Sequence, residues 1–266
     1  MRKTTLMILF LNIFINVCIG QLNTKPLFIG EQFELYSKYN NRNYKISVCL
    51  PQNYEKDTTR YSCLYLFYGE DAKFFIASGI ATALSDATWQ IPRLIIVGVT
   101  NMQWFYDLTP IPVKGLENKS GGGKEFLSFV TEDLLKTIDN SYRTNGHKIF
   151  MGHSLAGLLG VQAFVENPNY FNDYILISPS IAERADYIAD AFKQKIINSN
   201  GLKNKFYFSV GSEESRIMKG ALWLQEGLEA KKHENLKWKF EMHQGHNHST
   251  VVPISLMNGL LFILGK

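Results

Sequence analysis

The stretch "KIFMGHSLAGLLG", residues 148–160, carries a serine where a strand pattern gives way to a helix pattern. Ile149 to Met151 are apolar, Gly152 precedes Ser154 by two positions, and a run of small residues follows at once. A serine hydroxyl is a weak nucleophile until a base removes its proton. A G-x-S-x-G turn between strand and helix lifts the hydroxyl out on a strained backbone where a base can reach it. Here Ala156 holds the second glycine's place and a glycine follows one residue later, at Gly157. The position needs a small side chain, and alanine adds one methyl group. The bland reading of the same residues is a glycine-rich strand-to-helix turn.

The base must be a histidine, and there are six. His147 precedes the elbow strand, at the wrong end of a sheet. His153 adjoins the serine, where packing beside the site, or a place on the substrate rim, fits it better than proton transfer. His233 sits in the charged "EAKKHENLK". "HQGHNHS" follows the last strand pattern, where an elbow hydrolase carries its base. His248 is the first choice and His246 the second. The orienting acid belongs between nucleophile and base in sequence, after the preceding strand. "KFYFSVGSEES" offers Glu213 and Glu214 there, with Glu214 preferred, and Glu183 after "ISPS" is a further candidate. An oxyanion hole needs two convergent N–H groups. The amide of Leu155 supplies one. The loop after "LYLFY" supplies the other, at Gly69 or Glu70. His243, His246 and His248 also read as a metal trio, but the spacing is not a recognised zinc pattern. The chemistry calls for no metal and no cofactor. "KGLENKSGGGK" fails as a phosphate loop, since Glu125 stands where Ser or Thr is required.

These groups need a scaffold. Eight apolar runs recur along the chain: "QFELYSKY", "YKISVCLP", "CLYLFY", "RLIIVGVT", "HKIFMGHS", "DYILISPS", "KFYFSVG" and "WKFEMHQ". The middle runs are nearly continuous in apolar residues, as in a parallel sheet covered on both faces. The first two are more polar and close in sequence, which suits an antiparallel pair at one edge. Between runs, Phe126, Phe129, Val130, Leu134 and Ile138 fall at helical spacing, and "SLMNGLLFILG" closes the chain as a helix. Strand and helix patterns that alternate this way predict one α/β domain over residues 21–266.

Residues 1–20 read as a signal peptide. Arg2 and Lys3 precede an apolar run from Leu6 to Ile19, and Gly20 suits cleavage. The protein is therefore expected to be secreted or periplasmic, with no stable membrane insertion after cleavage. Losing Arg2 and Lys3 from 28 basic residues against 24 acidic ones leaves a net charge of about +2. That is too weak to imply nucleic acid. Cys49 and Cys63 fall in strands that would not be neighbours, so two buried thiols are expected rather than a bridge.

The combination resembles the putative-esterase family of α/β-hydrolases, which includes ferric enterobactin, feruloyl and acetyl-xylan esterases and S-formylglutathione hydrolase. "ISVCLPQNY", "YSCLYLFYGED", "DLTP", "GHSLAGL", "ISPS" and "HNHSTVVPISLMNGLLFI" occur in the family order over nearly the whole chain after residue 20. The resemblance implies the α/β-hydrolase fold, a mostly parallel sheet of about eight strands with helices on both faces. It also implies Ser154 as nucleophile and His248 as base, and a small-molecule ester as substrate. It fixes neither one substrate nor an oligomeric state. Tyr68 replaces an expected aspartate, "MQWFY" replaces an arginine-bearing pattern, and "SPSIAER" lacks a tryptophan. Trp104, Phe105 and Tyr106 in "MQWFY" suggest an aromatic substrate rim. A serine carboxylic-ester hydrolase is the leading reading. The others are an acyltransferase and a binding protein that kept the fold without the chemistry.

Overall fold

The structure is a computed structural model and describes residues 29–69, 71–181 and 186–266. Residues 1–20, read above as a signal peptide, Glu70 and Glu183 lie outside the described residues. In chain order the elements are β1 (Glu31–Ser37), β2 (Arg42–Cys49), β3 (Tyr61–Gly69), α1 (Asp71–Thr82), β4 (Leu94–Thr100), α2 (Trp104–Leu108), α3 (Gly123–Phe129), α4 (Leu135–Ser141), β5 (Thr144–His153), α5 (Leu155–Glu166), β6 (Asp173–Ile177), α6 (Asp186–Asn198), β7 (Lys205–Gly211), α7 (Ser215–Glu229), β8 (Lys237–His243) and α8 (Val251–Leu264).

All eight apolar runs form strands of one sheet, in the order β1-β2-β4-β3-β5-β6-β7-β8. β1 pairs antiparallel with β2, and β2 antiparallel with β4. Every other pairing is parallel. Because β4 lies between β2 and β3, Cys49 and Cys63 stand on strands that do not touch, and both are free thiols. Cys63 is buried as expected, whereas Cys49 is only half-buried. Desolvation pushes the Cys63 thiol up to about 12.

Strand side chains alternate between two cores, as the period of two requires. On β3, Cys63, Tyr65 and Phe67 enter one core while Leu64 and Leu66 enter the other. On β5, Phe150 takes the first and Ile149 and Met151 the second. The first core is covered by α3 to α7 and the second by α1 and α8. The predicted helical stripe of Phe126, Phe129, Val130, Leu134 and Ile138 is fully buried. A π-helical turn at Val130–Leu134 divides it into α3 and α4. α8 packs across β6, β7 and β8 and so covers a face of the sheet.

Phe150 is central to the first core, stacked on Phe67 at 4.7 Å and edge-on to Phe171 at 5.1 Å. Truncation of such a ring leaves a cavity that its neighbours cannot close. Phe150→Ala should lower the unfolding free energy by about 3–5 kcal/mol, read from the urea midpoint at unchanged m-value.

Candidate active site

The C-terminal ends of β5, β6 and β7 converge on one cavity of about 510 Å³. Ser154, Leu155, Ser180, Glu214 and His248 line it, with Trp104, Phe105, Glu213, Arg216, Ile217 and Asn247. Ser154 joins β5 to α5 at φ 60° and ψ −121°, a backbone conformation costly for any residue but glycine. The turn survives because its neighbours leave it room. A Cβ on Gly152 would lie 2.2 Å from the Ala156 carbonyl oxygen, so glycine is obligatory there. Ala156 itself is accommodated, fully buried. A Cβ on Gly157 would lie 3.0 Å from Pro179, so the late glycine admits close approach of the segment after β6. The Ser154 hydroxyl hydrogen-bonds that of Ser180 at 3.2 Å, and the Ser180 amide donates to the Ser154 carbonyl at 3.1 Å. Leu155 opens α5, and its amide is among the helix-start N–H groups that lack an intrahelical acceptor.

Glu214 is the acid that meets His248. Its Oε1 lies 2.8 Å from His248 Nδ1, while its Oε2 accepts from the Ser178 hydroxyl at 2.6 Å and the Gly211 amide at 3.0 Å. Burial disfavours the charge, but the bonds from His248, Ser178 and Gly211 outweigh it and hold the carboxyl below its ordinary pKa. Glu213 is exposed at the cavity wall, and its amide donates to the His246 carbonyl at 3.2 Å. That approach needs Gly211, where a Cβ would sit 2.1 Å from the same oxygen. Asn247 Oδ1 accepts the amides of Ser249 and Thr250 at 3.0 and 3.1 Å and fixes the turn that presents His248.

The remaining histidines have other partners. His246 Nδ1 bonds the Thr250 carbonyl at 3.0 Å, and His243 Nε2 lies 3.2 Å from the Tyr207 hydroxyl. The three imidazoles of the metal reading thus turn to three separate partners. Among the described residues no cluster of three or more His, Cys, Asp or Glu side chains is arranged to hold a metal. His147 Nε2 pairs with Asp173 at 2.7 Å, at the far end of the sheet.

Of the residues offered for the substrate rim, Tyr106 and His153 lie elsewhere, His153 in the packing place that was its other reading. His153 is 5% exposed and stands under His248, its Nε2 2.7 Å from the His248 carbonyl oxygen. Tyr106 packs against Gly122, where a Cβ would strike its ring at 2.2 Å. The phase of α2 turns Trp104 and Phe105 toward the cavity and Tyr106 away. That short helix is anchored from below by the buried Asp107. Its carboxylate accepts from the Gln103 amide at 2.7 Å and the Tyr44 hydroxyl at 3.0 Å, with Arg42 at 3.3 Å. Burial keeps the Asp107 pKa above its ordinary value despite Arg42. Sequence reasoning missed Ser178, Ser180, Asn247, Arg216 and the Arg42–Asp107 pair. The quoted "ISPS" and "DLTP" held part of that signal without assigning it.

The sequence profile of a family described as "Putative esterase" matches residues 37–259, and the chain belongs to that family. A curated relative, ferri-bacillibactin esterase BesA of Bacillus subtilis (strain 168), is 29% identical over 152 residues. That match covers 54% of this chain and 52% of the relative, so the chain spans about half the length of the curated protein it matches. The crystal structure of BES protein from Bacillus cereus superposes at TM-score 0.80 with 27% identity, over 92% of this chain and 99% of that one. The siderophore hydrolase EstB from Aspergillus nidulans superposes at 0.77 with 20% identity, over 91% and 97%. An IroE-like serine hydrolase from Shewanella oneidensis superposes at 0.79 with 22% identity, over 88% and 79%. The fold is the α/β-hydrolase fold.

Burial, then the neighbouring His248 and Lys73, push the His153 pKa from 6.5 down to about 3. The unfolded chain binds a proton at this residue from about pH 6.5 downward, and the folded chain does so only near pH 3. His153 therefore stabilises the fold least at low pH, costing about 1.4 kcal/mol per pH unit inside that window. His153→Gln removes this dependence. Urea titrations at pH 7 and pH 5 should show wild type losing about 1–2 kcal/mol more than the variant.

Proposed function

We propose that this member of the esterase family is a serine carboxylic-ester hydrolase that works through an acyl-enzyme. The observation that carries the reading is the 2.8 Å pairing of buried Glu214 with His248 Nδ1 in the cavity that Ser154 enters on a strained turn. In this reading Ser154 Oγ leaves Ser180 and turns to His248. Nε2 takes the hydroxyl proton as Oγ bonds to the ester carbonyl carbon. Glu214 holds the imidazole with its proton on Nδ1 and stabilises the imidazolium. The Leu155 amide, with a second amide at Gly69 or Glu70, takes the oxyanion. The imidazolium returns the proton to the leaving alcohol. Water, deprotonated by the same Nε2, then attacks the acyl-enzyme and frees the acid and Ser154.

The relatives' names, a ferri-bacillibactin esterase and a siderophore hydrolase, support a small ester of the siderophore type as substrate. Trp104 and Phe105 on one wall and Arg216 on another suit an aromatic acid that carries negative charge. Arg2, Lys3 and the apolar run after them support export, with the mature chain starting at Gln21.

On p-nitrophenyl acetate, Ser154→Ala should lose at least about 10³-fold in kcat and Glu214→Gln about 10²–10⁴-fold. Equal hydrolysis by wild type and Ser154→Ala would end the proposal. A fluorophosphonate probe should label Ser154 stoichiometrically, and an inert Ser154 would favour a binding protein. Adding an alcohol acceptor separates a hydrolase, which releases free acid, from an acyltransferase. N-terminal sequencing of the exported protein should read Gln21-Leu22-Asn23, and an intact Met1 would defeat the export reading.

A further inference from the structure

We propose that His153 is a positioning residue for the base, tying the His248 loop to the nucleophile turn so that the two move as one body. The inference rests on the reading of His248 as the base. His153 ends β5 and is bonded directly to Ser154 in the chain. Its Nε2 lies 2.7 Å from the backbone oxygen of His248, 95 residues away in sequence. A carbonyl oxygen can only accept, so Nε2 carries the proton and the ring is held in one tautomer. The two imidazole rings lie 4.3 Å apart at 39°, so His153 also supports the face of the His248 ring. Beyond its bond to Glu214, the His248 side chain is 42% exposed and rises from a loop between β8 and α8.

Glu214 fixes the His248 ring through Nδ1, but it fixes neither the height of the His248 backbone nor the gap to Ser154. Bonds from Glu213 and Asn247 shape the loop itself, and the His153 bond ties that loop to the nucleophile turn, because it starts one residue from Ser154. Burial keeps His153 neutral. When His248 becomes an imidazolium during turnover, the ring beside it therefore adds no like charge. Glutamine at 153 can place a donor where Nε2 stands, whereas leucine fills space and donates nothing.

The experiment compares His153→Leu and His153→Gln in the full chain, with folded content checked by circular dichroism and urea. In His153→Leu, kcat on p-nitrophenyl acetate should fall about 10–100-fold with KM within about threefold, since misplacement of a catalytic group acts on the chemical step. His153→Gln should recover kcat to within about fivefold of wild type. Imidazole ¹⁵N NMR of the wild type should show a neutral His153 with its proton on Nε2. The His248 resonances should shift or broaden in His153→Leu and stay near wild type in His153→Gln. Wild-type kcat in His153→Leu, or a glutamine variant as impaired as the leucine one, would overturn the proposal. So would a His153 protonated on Nδ1 alone, a result that stands even if the leucine variant does not fold. Absence of ester hydrolysis by wild type would instead defeat the functional reading, and the NMR measurement would still decide the tie.

Discussion

A buried carboxylate is tolerable only when donors replace the water it has lost, and Glu214 imposes that demand on the whole site. Its donors come from three different segments. Ser178 follows β6, Gly211 ends β7, and His248 lies in the loop before α8. Satisfying one charge therefore aligns the ends of two strands with the loop that carries the imidazole. Ser178 reaches the carboxylate from φ 45°, a conformation that a serine adopts only under constraint. The backbone bond from the Ser178 amide to the Ser209 carbonyl, 2.7 Å, is part of that constraint. Removing any one donor would leave the others serving a charge still out of water.

Close approach is the second condition. Gly157 and Gly211 each stand where another segment passes nearly in contact with the backbone, and Gly152 where its own turn folds back against it. The rigid sheet beneath them makes such distances reproducible, since a packed core on either face resists small shifts. Strain at Ser154 is thus carried by parallel strands that are buried on both sides.

Much of this was legible in sequence because it follows short-range rules. Strand runs, the small residues around Ser154 and the order of serine, acid and histidine all announce themselves locally. Local position favoured Glu214 over Glu213, but only the turn after β7 decides which of two adjacent side chains faces inward. Tyr106 looked like its neighbours Trp104 and Phe105, yet the phase of α2 sends it to Gly122. His153 could be read as packing or as a rim residue, because the serine beside it faces the cavity. A strand alternates its faces, and the ring passes beneath the His248 loop instead. Ser178 and the Arg42–Asp107 pair depend on contacts 36 and 65 residues apart, which no local pattern encodes.

The Arg42–Asp107 pair links the antiparallel corner of the sheet to the cavity wall. Arg42 also donates to the Asn101 carbonyl at 2.7 Å, and Tyr44 holds Asp107 from the same strand. The hairpin of β1 and β2 holds none of Ser154, Glu214 and His248, yet it bears the aromatic wall through Asp107. On the proposed reading, the wall that would select shape thus hangs on a different part of the sheet from the groups that would make and break the ester bond. Changes in the hairpin would then re-aim Trp104 and Phe105 without touching Ser154, Glu214 or His248 themselves, which would give one scaffold room to change what it admits without relearning its chemistry.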